Sequence, residues 1–331
     1  MNNRLKIIIA VIVAFAVIIG GVVVYYENLP GKAKGEIITL DTGYHLTNKF
    51  TRIISLDPAA TATLYALGAY SYLVGGNSYD TYPPDENIPN VTDYPSMNLE
   101  QIFNLSPDAV ISFDNYSGSQ ISQLLNDGIN YVFLSAGAGV NFSIIERQNT
   151  LLGELTGTEA NATLINQWMN TSLSILHSDA TEYDKSLYNG TQLRGFYYLS
   201  SEGGYWTAGN DTFINSYFEY ADVVNIAAPY DNGFYAINPE NIENNSPQVI
   251  ILDEYINASS LNSSGSPFQF SPAVINSKIY TTTFNENMFS EPNFRDIFAI
   301  QWMIDMVYGQ NPVLPAFPIN LTYNPNPNEV S

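Results

Sequence analysis

The chain has 331 residues, 45% of them hydrophobic and 13% aromatic, enough for a packed core in one large domain or two of about 150 residues. It carries 32 acids against 11 bases, a formal net charge of −21, which sets aside nucleic acid and anionic lipid headgroups as partners. With no cysteine and two histidines, His45 and His177, it has no disulfide, thiol nucleophile, lipid-modified cysteine, thiolate metal site or multi-histidine metal site.

Ile7–Tyr26 is an uncharged run of 20 residues, long enough to cross a bilayer core of about 30 Å as a helix. Arg4 and Lys6 precede it and Tyr25 and Tyr26 stand at its far end, which fits an N-in, C-out anchor. A cleaved signal peptide is the rival reading; its apolar core is usually shorter, and no small-x-small site precedes Glu27. Residues 1–28 are therefore expected to be a membrane anchor or signal, and 29–50 a linker with an entry strand.

From Arg52 onward strand and helix patterns alternate. Arg52–Leu56 is a β-branched strand, Pro58 opens a helical run over Ala59–Leu67, and Leu73–Gly75 is a short strand. Leu99–Leu105 is a short helix stopped by Ser106-Pro107, Ala109–Phe113 a buried strand, Ile121–Asn126 helical, and Tyr131–Leu134 a strand. Strand–helix–strand units of this length predict a parallel, doubly wound sheet, here an N-terminal α/β lobe over 51–142.

Between Ser143 and Leu187 the pattern is helical only. Ile144, Ile145, Leu151, Leu152 and Leu155 mark one helix ended by Gly157; Ala162, Ile165, Trp168, Met169, Leu173 and Leu176 mark a second. This predicts a helical connector over 143–190. The alternation then resumes in a C-terminal α/β lobe over 191–331. Phe196–Leu199, Val249–Leu252 and Lys278–Thr282 read as strands; Thr212–Tyr220, Glu240–Asn244 and Asn293–Tyr308 read as helices.

An internal repeat supports two lobes. Met97–Asp114 aligns without gaps on Ile237–Glu254, an offset of 140, with seven of 18 positions identical. The shared unit is a mechanism: an Asn before a short helix, a Ser-Pro stop, then a buried strand. A cleft between two such lobes is where a small ligand binds.

The segments RIISLDPAATATLYALGA, LVGGNSYDTYPP, NLEQIFNLSPDAVIS, YWTAGNDTFINSYFEYADVVNIA, INPENIENNSPQVIIL, INSKIYTTTF and FRDIFAIQWM follow one another from Arg52 towards Gly309. In that order and spacing the chain resembles the helical-backbone (class III) solute-binding proteins of ABC importers, which carry cobalamin, haem or iron–siderophore complexes. The resemblance implies two Rossmann-like lobes joined by one long helix, a transported ligand in place of a cofactor, and a permease dimer as partner. It implies a monomer on the cell surface, with its soluble part extracellular.

The resemblance also carries residue expectations. The family's permease-docking glutamates fall on Glu100 and Glu240, which are equivalent positions of the repeat; as first-turn acids they are also favoured by the helix dipole. The aromatics of cobalamin-binding members match Tyr79, Phe113 and Trp206. The loop before the second glutamate offers Phe234 and Tyr235, and the stretch before the last helix Met288 and Phe289. Strand C-terminal ends place Asp57, Asp114, Tyr116, Glu254 and Tyr255 toward the cleft. Four of the 11 bases flank the anchor, so few are left for a polyanionic ligand, which points to cobalamin, haem or a neutral hydroxamate-type complex.

Twelve Asn-x-Ser/Thr sequons, at Asn90, Asn104, Asn115, Asn141, Asn161, Asn170, Asn189, Asn210, Asn244, Asn257, Asn262 and Asn320, favour a glycosylated exterior. A surface of Asn, Ser, Thr and Tyr in place of Lys and Glu suits an acidic one. The chain lacks HExxH, GxSxG, a P-loop and a dinucleotide fingerprint, and neither histidine sits where a catalytic base is expected. It is not expected to be an enzyme; the alternative is a structural or adhesive surface glycoprotein.

Overall fold

The computed structural model describes residues 34–42, 48–84, 88–93, 96–113, 116–135, 139–282 and 288–326. The run Ile7–Tyr26, His45, Asp114 and Asn115 lie outside them. Among the described residues no helix is long and apolar enough to cross a membrane.

In chain order the N-terminal half contains β1 (Ile37–Ile38), β2 (Ile53–Ser55), α1 (Pro58–Ala66), β3 (Leu73–Gly75), β4 (Thr92–Asp93), β5 (Ser96–Met97), α2 (Leu99–Leu105), β6 (Ala109–Ser112), α3 (Gly118–Asn126) and β7 (Asn130–Phe133). Two helices follow, α4 (Phe142–Thr156) and α5 (Glu159–Tyr188). The C-terminal half holds β8 (Leu193–Tyr198), β9 (Tyr205–Ala208), α6 (Phe213–Tyr220), β10 (Val223–Asn225), β11 (Phe234–Ile237), α7 (Pro239–Asn245), β12 (Val249–Leu252), α8 (Pro272–Ile275), β13 (Ile279–Thr281) and α9 (Asp296–Tyr308).

Five parallel strands in the order β1-β7-β6-β2-β3 form one sheet, and four parallel strands in the order β10-β8-β12-β13 form the other. Read from the β3 and β10 edges, β3-β2-β6-β7 and β10-β8-β12-β13 have the same order, and β1 is an addition to the first lobe. The central strands β6 and β12 are buried at all four positions, as expected where helices cover both faces.

The repeat extends to side chains outside the matched window. The helices α2 and α7 have seven residues each, start at an Asn whose side chain accepts a backbone N–H, and end at a left-handed serine, Ser106 (φ 47°) or Ser246 (φ 46°). In each lobe an arginine at the entry to a central strand, just before β2 or at the second residue of β8, closes the open carbonyls of that helix. Arg52 donates to Leu105 O at 2.5 Å and Ser106 O at 3.1 Å; Arg194 donates to Asn245 O at 2.7 Å and Ser246 O at 3.1 Å. A cation at a helix C-terminus meets both the unpaired carbonyls and the negative end of the dipole.

The 30-residue α5, about 45 Å long, buries Ala162, Ile165, Met169, Leu173, Leu176 and Ala180 at three- and four-residue spacing. One hydrophobic core runs from β2 and α1 through α4 and α5 to α6 and α9, so both halves share it. An irregular tail reinforces that connection. Trp168 Nε1 donates to Pro315 O at 2.9 Å, and Tyr82 Oη donates to Tyr323 O at 3.0 Å, tying the tail to the connector and to the first lobe.

Two sequence expectations change here. The antiparallel ribbon β9–β11, joining residues 26 or more apart in sequence, was not foreseen. The last helix starts at Asp296 instead of Asn293, because Asn293 and Arg295 form its entry turn, with Asn293 N–H donating to Asp296 Oδ1.

Candidate functional site

A cavity of about 520 Å³ opens between the two sheets, at the carboxyl ends of their central strands. The side of the first lobe consists of Leu56–Ala59 after β2, Asn77–Tyr79 and Thr81 after β3, Thr92, and Phe113 and Tyr116 after β6. The second lobe supplies Asp253–Tyr255 after β12 and Ser290–Pro292 ahead of α9. In open parallel sheets this edge is where chain turns leave loops free to meet a ligand.

Local sequence explains several of these placements. Asp57 ends β2 and caps α1, accepting from Ala59 N at 2.9 Å, with Pro58 preset at the first helical position. Asp80 organises the loop after β3 by accepting from Asn77 N at 3.0 Å and Asn77 Nδ2 at 3.1 Å. Asp253, immediately after β12, accepts from Tyr197 Oη at 3.2 Å.

The cavity wall is acidic. Asp57, Asp253, Glu254 and Glu291 line it, and among the described residues no Lys, Arg or His does. Burial pushes Asp57 up to about 7 and Asp80, just behind the wall, up to about 6. Burial also raises Glu291 well above the usual carboxylate range, with the charge of Asp57 adding to it, and raises Asp253. Among the described residues the ion pairs are Lys49–Glu159 and Arg147–Asp41, so none of the wall carboxylates has a salt-bridge partner. The nearest base, Arg295, faces elsewhere: it lies 4.2 Å from the Tyr82 ring centroid and donates to Pro325 O at 3.2 Å.

Aromatic rings supply the remaining wall. Tyr79 from the first lobe and Tyr255 from the second are 61% and 86% exposed, high for rings of this size. Phe113 and the buried Tyr116 stand beside them.

The structure thus brings Asp57, Tyr79, Phe113, Tyr116, Glu254 and Tyr255 to one cavity. Trp206, Phe234, Tyr235, Met288 and Phe289 do not line it. Trp206, Phe234 and Tyr235 belong to the β9–β11 ribbon, where Trp206 Nε1 donates to Glu202 O and Tyr235 Oη to Ala227 O. Phe289 is packed among Tyr197, Tyr217 and Trp302, and Met288 is equally buried. Sequence reasoning missed Asn77, Thr81, Thr92, Asp253, Ser290 and Glu291. For Asp253 a signal existed, since the 140-residue offset pairs it with Phe113.

Glu100 and Glu240 are exposed in the first turns of α2 and α7. Of the sequon asparagines within the described residues, all but Asn161 are exposed; Asn161 is half-buried and donates to Leu67 O at 2.9 Å.

Two parallel sheets sharing a helical spine, with an open cavity where their strand ends face each other, define a two-lobed ligand-binding protein. Residues 53–286 match the model of the periplasmic binding protein family, and the chain belongs to that family. It is 28% identical over 211 residues to an uncharacterized ABC transporter substrate-binding lipoprotein of Bacillus subtilis, covering 62% of this chain and 65% of that one, just under two thirds. It is 26% identical over 262 residues to a cobalamin-binding protein of Halobacterium salinarum, covering 76% and 68%. A periplasmic solute-binding protein of Staphylococcus epidermidis superimposes with a TM-score of 0.68 at 24% identity, covering 79% of this chain and all of that one.

Proposed function

We propose that the chain is the extracytoplasmic solute-binding component of an ABC importer, and that its cleft captures a corrinoid-type metal chelate for delivery to a permease dimer. The relatives support the transport role. The chelate reading rests on one observation, the wall of Asp57, Asp253, Glu254 and Glu291 with no base among the described residues that line it. Haem presents carboxylates, and catecholate or citrate siderophores are anionic; buried beside unpaired carboxylates, either would be repelled in a medium of low dielectric. A corrinoid is fringed with amides whose N–H groups donate to carboxylates, and its broad faces suit Tyr79, Phe113 and Tyr255. The cavity volume of about 520 Å³ is within the roughly 300–1,000 Å³ usual for such sites.

In this reading Ile7–Tyr26 tethers the protein with the lobes outside, the exposed sequons carry glycans, and Glu100 and Glu240 dock on the permease. A membrane helix serves where a lipid-modified cysteine cannot, because the sequence has none.

A thermal-shift panel on the full chain with aquacobalamin, hemin and a ferric catecholate tests the proposal. Aquacobalamin at 100 times its Kd adds about 2.7 kcal/mol of stability, and the two anionic chelates leave the Tm unmoved. A shift produced by hemin or the ferric catecholate, and absent with aquacobalamin, overturns the corrinoid reading.

A further inference from the structure

Residues 310–326, the tail after α9, contain no helix or strand, yet they are gripped along their length. They lie beyond the stretch 53–286 that matches the family. Pro312, Pro315, Pro318 and Pro325 fix φ along the tail and reduce the freedom the unfolded chain has to lose, so a segment without regular backbone pairing keeps one course. At its start, Gln301 Nε2 of α9 donates to Pro312 O at 2.7 Å. Midway, Trp168 of α5 donates to Pro315 O, and the Phe317 ring meets the rings of Trp168 and Phe294 at 5.0 and 5.2 Å.

The far end enters a knot of side chains from both halves. Tyr82 Oη donates to Tyr323 O and Tyr323 N–H donates to Tyr65 Oη, each at 3.0 Å, so the first lobe holds one residue by its backbone donor and its backbone acceptor. Tyr65 meets Tyr82 edge-on at 5.5 Å. Arg295, at the entry to α9, covers the Tyr82 ring and donates to Pro325 O. Tyr82 and Arg295 are 6% and 3% exposed, and contacts of this kind gain strength where water is excluded.

Both of those residues continue the cleft wall. Tyr82 follows Thr81, which lines the cavity from the first lobe, and Arg295 stands three residues after Pro292, which lines it from the second. The connector α4–α5 joins the lobes through the core; the tail joins them again at the two segments that carry the wall. We infer that the tail is a strap that sets the separation of the two cleft walls, with Tyr65, Tyr82 and Arg295 as positioning residues that act through the backbone of Tyr323 and Pro325. None of the three lines the cavity. The inference rests on the cleft as the binding site, whichever chelate it takes.

The test is a pulsed electron–electron distance measurement between the lobes of the ligand-free full chain. Because the sequence has no cysteine, spin labels attach only at Gln123→Cys on α3 and Glu243→Cys on α7, both exposed and one in each lobe. Tyr65→Phe combined with Tyr82→Phe removes both bonds to Tyr323 and keeps both rings. The distance distribution then broadens about twofold or more as the lobes gain hinge freedom. Tyr323→Phe, which retains both backbone groups, leaves it as narrow as in the labelled parent. A parent-like distribution in the double variant, even with a lowered Tm, means that the bonds serve stability alone and overturns the inference, as does equal broadening in Tyr323→Phe. Aquacobalamin binds the double variant severalfold more weakly than the parent, and an unchanged Kd overturns the positioning role. A parent that does not bind aquacobalamin sinks the corrinoid reading only, and the distance measurement decides the strap by itself.

Discussion

Replacing Asp57 by Asn should stabilise the protein, and more so as the pH rises. The carboxyl is 5% exposed and lines the cleft; burial lifts it from 3.8 to about 7. In the unfolded chain it ionises near its ordinary value, so between about pH 4 and 7 the native state holds a proton that the unfolded state has released. Stability from this group is therefore full below pH 4 and is lost as the pH rises through the folded value. The shift is about 3 units, and at 1.36 kcal/mol per unit the loss approaches about 4 kcal/mol above pH 7 and about 1.5 kcal/mol at pH 5. Asn keeps the cap, because its carbonyl oxygen accepts from Ala59 N as the carboxylate does, and Asn and Asp cap equally well. Urea denaturation of the full chain at pH 5 and pH 8 gives the two differences. A D57N variant that gains no more at pH 8 than at pH 5 refutes the reasoning.

Three further outcomes follow from the geometry. Glu100→Ala combined with Glu240→Ala abolishes uptake in cells and leaves ligand affinity intact; uptake that persists removes the docking assignment. Arg194→Ala leaves the Asn245 and Ser246 carbonyls without their guanidinium, at a cost of roughly 2–3 kcal/mol in urea midpoints, and a loss under 0.5 kcal/mol contradicts the capping role. Tyr255→Ala leaves the Tm nearly unchanged, since the ring is 86% exposed, and weakens cleft binding by about 1.5 kcal/mol, roughly tenfold; an unchanged Kd takes Tyr255 out of the site.

What the sequence made legible was local or periodic. Strands such as Ile53–Ser55 and Val249–Leu252 are short β-branched runs, α5 keeps one apolar stripe over 30 residues, and the 140-residue repeat forecasts two sheets of matching order. Partnership between distant segments was not legible. Trp206, Phe234 and Tyr235 look like free loop aromatics until β9 pairs with β11 between residues 26 or more apart, which turns their side chains to other uses. Arg52 and Arg194 are 142 apart, outside the ungapped window at 140, so their shared capping role emerges only from coordinates. Glu291 and Ser290 reach the cavity because the shared core fixes where α9 begins, and no local pattern encodes that.

In the proposed reading, the same carboxylates that cost stability also make binding depend on pH. Asp57, Asp80, Asp253 and Glu291 are all raised by burial, and Glu254 joins them on the wall; the charge of Arg295 partly offsets the rise of Glu291. In acid the raised carboxyls hold their protons; as the pH passes about 6 and then 7, Asp80 and Asp57 ionise. A ligand that offers N–H donors prefers the ionised form, so its affinity rises over that window and its binding releases protons. An anionic chelate does the reverse. Titrations with aquacobalamin at pH 6.5 in two buffers of different ionisation heat should therefore show net proton release, reduced in D57N. Proton uptake, or no buffer dependence in the wild type, shows that the ligand does not face these groups. If that release is seen, the buried carboxyls that lower stability as the pH rises are the groups that favour the ligand, an exchange of folding free energy for recognition.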